Sequence, residues 1–320
     1  MRFSVVFLLL AGIASAAEDD SEKQPEQRWE IDLVADYYGI TSDQLSDFPV
    51  TELHQGCPRQ DCIPSIDKPD FIAAGEVDFL RDDDLVLGVI VNGDARAYSA
   101  RVLQRHEIVN DVIGGQPIAV TYCPLCGSGV AFSRLVKNEI VEFGVSGILH
   151  NSDLVLFDRS SKTLWQQITG KAFAGPHRGQ QLVSVPVRMT DWKSWKNIHP
   201  DSLVLSLDTG FDEDYEIDHY VKYRGSERLF AGGKIDPRLH PKRVVYGLEV
   251  EGKAIAFDAE LLDGNNELPQ QFAGLDLQLS KSEDGEVRLT DPASGKSWTA
   301  QRMFWFAWYS FHTDTELVAP

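Results

Sequence analysis

An internal echo constrains this chain more than any other feature. Residues 86–103 read VLGVIVNGDARAYSARVL and residues 245–262 read VYGLEVEGKAIAFDAELL, with eight of eighteen positions identical, among them Gly88/Gly247, Gly93/Gly252, Ala97/Ala256 and Ala100/Ala259. Each predicts a β-hairpin. An apolar strand enters Asn92-Gly93 or Glu251-Gly252, a two-residue turn, and a second strand with alternating small residues returns. The order then continues. Asp158 to Trp165 (DRSSKTLW) is echoed by Asp291 to Trp298 (DPASGKSW), and Trp192-x-x-Trp195-x-x-x-His199-x-Asp201 by Trp305-x-x-Trp308-x-x-x-His312-x-Asp314. On a helix, steps of three and seven residues set both Trp and the His on one narrow face. Three elements in one order point to duplication rather than chance.

The expected architecture is therefore α+β and β-rich, with two tandem pseudo-repeats of a hairpin-containing β unit carrying a Trp/His-bearing helix. The first copy is expected over 46–205, an irregular connector over 206–243, and a reduced second copy over 244–320. The spacings are unequal: 55 residues separate Leu103 from Asp158, but 29 separate Leu262 from Asp291. The surplus holds Cys123, Pro124, Cys126 and the segment Phe143-Gly-Val-Ser-Gly147. Within it, Ala100 to Val112 is expected to be helical up to Gly114-Gly115. Ile118 to Tyr122 is expected as a strand leading into the cysteine turn, and Val130 to Phe132 as a strand leaving it.

Function is sought at Tyr122-Cys-Pro-Leu-Cys-Gly-Ser-Gly129 for that reason. Two cysteines separated by two residues can close a small disulfide, hold a metal as a thiolate pair, or exchange disulfides through an activated first thiol. In the exchange reading, placed first, Cys123 is the exposed attacking thiol and Cys126 the resolving one. Against a thioredoxin-type enzyme, no helix begins at the second cysteine, so the usual device that lowers a thiol pKa is missing. In the metal reading, copper or zinc is held by both thiolates and a distant histidine, with His106, His150, His199 and His312 as candidates. Met189 and Met303 are too few for a methionine-rich copper site. In the third reading the protein binds a partner without catalysis and its cysteine pairs are staples. Cys57 and Cys62, in a Pro- and Asp-rich loop, are expected to form a structural disulfide. Features shared by both copies, the four Trp and the two His, are assigned to packing, with the indole N–H groups hydrogen-bonded. Gly144-Val-Ser-Gly147 lacks the final glycine of a nucleophile elbow, since Ile148 stands there.

Compartment and charge narrow the partners. Met1-Arg2, the apolar run Val5 to Ala14 and Ala14-Ser-Ala16 have the pattern of a cleaved export leader over 1–16, followed by a charged lead-in over 17–45. The run is shorter than the roughly 20 residues a transmembrane helix needs, so the expected site is periplasmic or extracellular, without a transmembrane segment. A formal net charge of −19 repels nucleic acid, which leaves a protein or small-molecule partner of unspecified identity.

Ile118 to Phe132, Phe143 to Arg159, Leu164-Trp-Gln166 and the Phe304-to-Leu317 ending together resemble domain-of-unknown-function family 3179, over roughly residues 60 to 318. The resemblance implies an exported, mostly bacterial protein without a settled activity, and places Cys123 and Cys126 within the family's motif. It also implies that Cys57 and Cys62 are a local addition, and that His150 stands where the family is usually aromatic, which makes it a poor ligand.

Overall fold

Asn92 and Gly93, at φ of 50° and 85°, turn Leu85–Val91 back into Asp94–Ser99, with Gly88 opposite Ala97. Arg188–Asp191 adds antiparallel on one side of this hairpin and Leu203–Leu205 adds parallel on the other. The helix Trp192–Ile198 joins these two outer strands. In the C-terminal region Glu251 and Gly252, at φ of 50° and 74°, turn Val244–Val250 into Lys253–Asp258, with Gly247 opposite Ala256. Gln301–Phe304 adds antiparallel, Glu316–Val318 adds parallel, and the helix Trp305–Phe311 joins them.

The glycines at the centre of both hairpins are there for the tryptophans. A Cβ on Gly88 would stand 1.9 Å from the Trp195 ring, and one on Gly247 would stand 2.3 Å from the Trp308 ring. Each indole lies flat on its hairpin because no side chain intervenes, and each N–H finds a hydroxyl seven residues on. Trp195 donates to Ser202 Oγ at 3.0 Å and Trp308 to Thr315 Oγ1 at 2.9 Å. Both helices stop before their histidine, which caps the C-terminus instead of extending the helical face. The His199 and His312 rings then lie 4.2 and 3.8 Å from those of Trp195 and Trp308.

This is a computed structural model, and it describes Tyr38, Phe48 and residues 50–263 and 267–320. The expected leader lies outside the described residues, as does the lead-in apart from Tyr38. The chain is β-rich with few helices. Between the first hairpin and its Trp-bearing helix lie the two-stranded ribbon Leu135–Val136 with Glu139–Ile140 and most strands of two larger sheets, one of which also takes in Leu53–Gln55 from ahead of the hairpin. One orders Ser184–Val185, Ser128–Ser133, Gln116–Cys123 and Ile108–Ile113; the other orders Leu53–Gln55, Phe143–His150, Asp153–Asp158, Leu164–Gln166 and Ala172–Ala174. The C-terminal region has one meander at the corresponding place, Glu267–Phe272, Leu275–Lys281, Val287–Thr290 and Ser297–Thr299. The largest apolar cluster contains Cys123, Cys126 and Trp165 together with Phe304 to Trp308, so the two regions share a core. Among the described residues no helix is long and apolar enough to cross a membrane.

One expected element is wrong. Ala100 to Val112 is not a single helix: Ala100–His106 is helical, capped by Ser99, and Glu107 at φ 58° ends it. Ile108–Ile113 is a strand that pairs with Gln116–Cys123 across Gly114-Gly115. Ile108, Val109, Val112 and Ile113 are β-branched, and a hairpin offers them a pleated surface while the helix would crowd them against its preceding turn.

Candidate metal centre

The cysteine turn closes a hairpin. Gln116–Cys123 pairs with Ser128–Ser133 so that Cys123 faces Ser128, and Pro124, Leu125, Cys126 and Gly127 make the connection. Gly127 has φ of 59°, and a Cβ there would stand 2.8 Å from the Phe304 ring. The Phe304 N–H donates to the Cys126 carbonyl at 2.8 Å. The C-terminal region therefore seals the turn from one side.

A second hairpin meets it. Asn151 and Ser152, at φ of 52° and 67°, form the two-residue turn between Phe143–His150 and Asp153–Asp158. The first residue after that turn, Asp153, is fully buried. Both sulfurs and a carboxylate oxygen of Asp153 lie within 4.8 Å of one another. The Cys123 thiol also approaches the Ser152 carbonyl at 3.6 Å. One carboxylate oxygen of Asp153 accepts from the Gln166 side-chain amide and from the Ile168 N–H at 3.2 Å. The other, Oδ1, makes no well-formed hydrogen bond, and the Cys123 and Cys126 thiols are the side chains set to donate to this carboxylate. A buried carboxylate oxygen without a well-formed bond is costly, and here it belongs to the group that faces two sulfurs.

Burial dominates the electrostatics. It pushes the Asp153 acid up to about 7, and burial together with nearby Asp153 pushes the Glu107 acid up to about 8. Burial raises both thiols as well, Cys126 further than Cys123 because its thiol also bonds to Cys123. Tyr122, next to Cys123, is raised to about 12 by burial. The connector closes the remaining side. Its short helix Val221–Arg224 brings Tyr220 and Tyr223 into the electrostatic range of the sulfurs. Ser152 pins this segment, accepting from the Ala231 N–H at 2.9 Å and donating to the Gly232 carbonyl at 2.8 Å.

Two expectations fail at this point. Cys123 is not exposed: it is buried, as is Cys126, and both are free thiols. Main chain from three segments covers the turn, which the hairpin pattern alone could not reveal. No histidine joins the sulfurs either. His106 bonds the Pro64 carbonyl and the Tyr215 hydroxyl, and His150 faces Glu52. His199 bonds Asp284 and His312 lies 3.5 Å from Glu249. The third donor is Asp153, which sequence reasoning passed over. Its signal was legible: Asn-Ser is a hairpin turn pair, and Asp153 is the lone acid opening the apolar run Leu154 to Phe157. Glu107 was missed too, because it was assigned to a helix interior. Cys57 and Cys62 form a disulfide with Cα atoms 6.4 Å apart. Their loop rests on the irregularity between Val145 and Leu149, where the Gly147 carbonyl accepts from the Gly56 and Cys57 N–H groups.

Residues 60–297 match the family described as "Protein of unknown function (DUF3179)". The chain belongs to this family. The matched span of this DUF3179 protein holds Glu107, Cys123, Cys126, Asp153 and Gln166, and it leaves out Cys57 and the helix Trp305–Phe311. No curated protein and no solved structure matches the chain.

Proposed function

We propose that this DUF3179 protein is an exported metal-binding protein that holds one zinc ion through Cys123, Cys126 and Asp153. The observation that carries the reading is the fully buried carboxylate of Asp153 within 4.8 Å of two free, buried thiols. Two thiolates and one carboxylate are a mixed soft and hard donor set, which suits zinc better than copper(I), whose ligands are thiolates and thioethers. Three protein ligands would leave the fourth position of a tetrahedral zinc to a small group such as a trapped water. The raised acidities support the same reading. Without metal the three groups stay protonated in a dry interior, and the cation replaces those protons with its own charge. Gln166 fixes the carboxylate from behind, as an outer hydrogen bond commonly does for a metal ligand.

Thiol–disulfide exchange is disfavoured by the same geometry, because an attacking thiolate must be both ionised and reachable, and neither sulfur is. The leader pattern at 1–16 supports export. The matched hairpin–helix units support a tandem duplication in which the first copy gained the strands that carry the site.

Native mass spectrometry of the exported protein, purified without chelator or reductant, tests the proposal. One zinc per chain is expected, lost in Cys126→Ser and in Asp153→Asn while the fold persists. A metal-free mass about 2 Da lighter than expected for one disulfide alone, with Cys123 and Cys126 oxidised at mild potential, would replace zinc by redox chemistry. Stoichiometric copper would keep the site and change its metal.

A further inference from the structure

Beside the sulfurs lies a small, partly open pocket of about 100 Å³. Leu125, from between the two cysteines, and Leu154, next to Asp153, form its inner wall, and Val145 and Leu149 add to the apolar lining. Tyr220 and Phe230 of the connector line it as well, and Glu107 is its one acid. The Glu107 side chain faces this apolar space while only 6% exposed. Among the described residues it has neither a hydrogen-bond donor nor a cation for its carboxyl group. Unpaired acids are seldom kept in such surroundings. Glu107 also occupies the left-handed backbone position that ends its helix, a place that glycine or asparagine takes more easily.

We propose that this pocket binds a small organic cation, a primary or methylated ammonium on an apolar body, with its charge held by Glu107 and its body by the aromatic and aliphatic walls. The ammonium supplies the donor and the counter-charge that Glu107 lacks, and a charge-assisted bond in an apolar site is stronger than a neutral one. Tyr220 and Phe230 suit the same group, since aromatic rings attract cations. The net charge of −19 raises the local concentration of cations and lowers that of anions. This site uses Glu107 and the pocket walls, not the sulfurs, and so goes beyond the zinc reading and does not depend on it.

Calorimetric titration of the mature protein with n-hexylammonium, 1-hexanol and hexanoate tests it, on chelator-treated protein and again after zinc loading. Hexylammonium is expected to bind one per chain in both states. Hexanol is expected to bind about tenfold more weakly or worse, because it forgoes the charged hydrogen bond, and hexanoate not at all. Glu107→Gln is expected to bring hexylammonium down to the level of hexanol. Phe230→Ala removes a side chain that is 61% exposed and so does not endanger folding; it is expected to weaken hexylammonium about threefold. The proposal is overturned if hexylammonium does not bind, or if hexanol or hexanoate binds as well. Unchanged affinity in folded Glu107→Gln also overturns it, and should that variant not fold, unchanged affinity in Phe230→Ala does so. Zinc content, measured on the same samples, reports separately on the metal centre.

Discussion

The hairpin–helix unit around Trp195 and the one around Trp308 solve one packing problem in one way. Each has a glycine under the indole, a hydroxyl seven residues on to accept its N–H, and a histidine ring against the indole at the helix end, tilted in the first unit and stacked in the second. They differ in what lies between hairpin and helix. The first unit encloses the two sheets built on Gln116–Cys123 and Phe143–His150, whereas the second encloses the single meander Glu267–Phe272 to Ser297–Thr299. The three proposed zinc ligands and Glu107 all lie within that enlarged interval. The two units thus share a frame, the proposed site lies in the interval where they differ, and the two make separable predictions.

The largest effect is expected where the frame is broken. Trp195→Ala and Trp308→Ala each remove a buried indole, and each is expected to cost about 3–5 kcal/mol in urea unfolding. If only one of them destabilises, the two units are not equivalent supports. The folded fraction of Trp195→Ala is expected to keep its zinc, which separates frame from site.

The site is expected to show itself through pH. Asp153 and Glu107 titrate near 7 and 8 when folded, above the ordinary carboxylate values of 3.8 and 4.5. Between those limits the native state holds protons that the unfolded chain has released, so metal-free protein loses stability as pH rises and levels off above the folded values. The slope is at most about 1.4 kcal/mol per pH unit for each acid. His54, His106, His150 and His312, lowered by burial, act in the opposite sense below about 6.5. The readout is therefore a difference between variants: from about pH 6.5 to 8 urea midpoints are expected to fall less steeply in Glu107→Gln than in the wild type. Identical slopes would mean that Glu107 is already ionised in the native state.

Smaller effects test the edges. Losing the Cys57–Cys62 bridge, as in the double Cys→Ser variant, is expected to cost on the order of 2 kcal/mol, because it closes a short loop; zinc content is expected to hold. Ser202→Ala and Thr315→Val each strand one buried indole N–H, at about 1–2 kcal/mol. Equal costs would sharpen the likeness of the two units, and a double variant whose costs fail to add would show coupling through the shared core.

Legibility followed distance along the chain. Asn92-Gly93 and Glu251-Gly252 announced both hairpins because turn chemistry is local, and the Trp spacing announced both helices for the same reason. Gly88 and Gly247 stood out as shared glycines, although what they accommodate, an indole more than fifty residues away, was not visible. The helix expected over Ala100 to Val112 failed at Glu107 because pairing with Gln116–Cys123 outweighed the polar spacing.

The sequence alone determined the β-rich composition of the chain, the family resemblance and the Cys57–Cys62 pair, all of which rest on residues close together in the chain. Only the tertiary structure decided that Cys123 is buried, that Asp153 and not a histidine faces the sulfurs, and that the connector covers them. Those three facts depend on how a hairpin tip, a loop near residue 220 and the Phe304 backbone converge on one turn. Such convergence is set by side-chain packing in the shared core, where contacts form between residues a hundred or more positions apart and local spacing carries no trace of them.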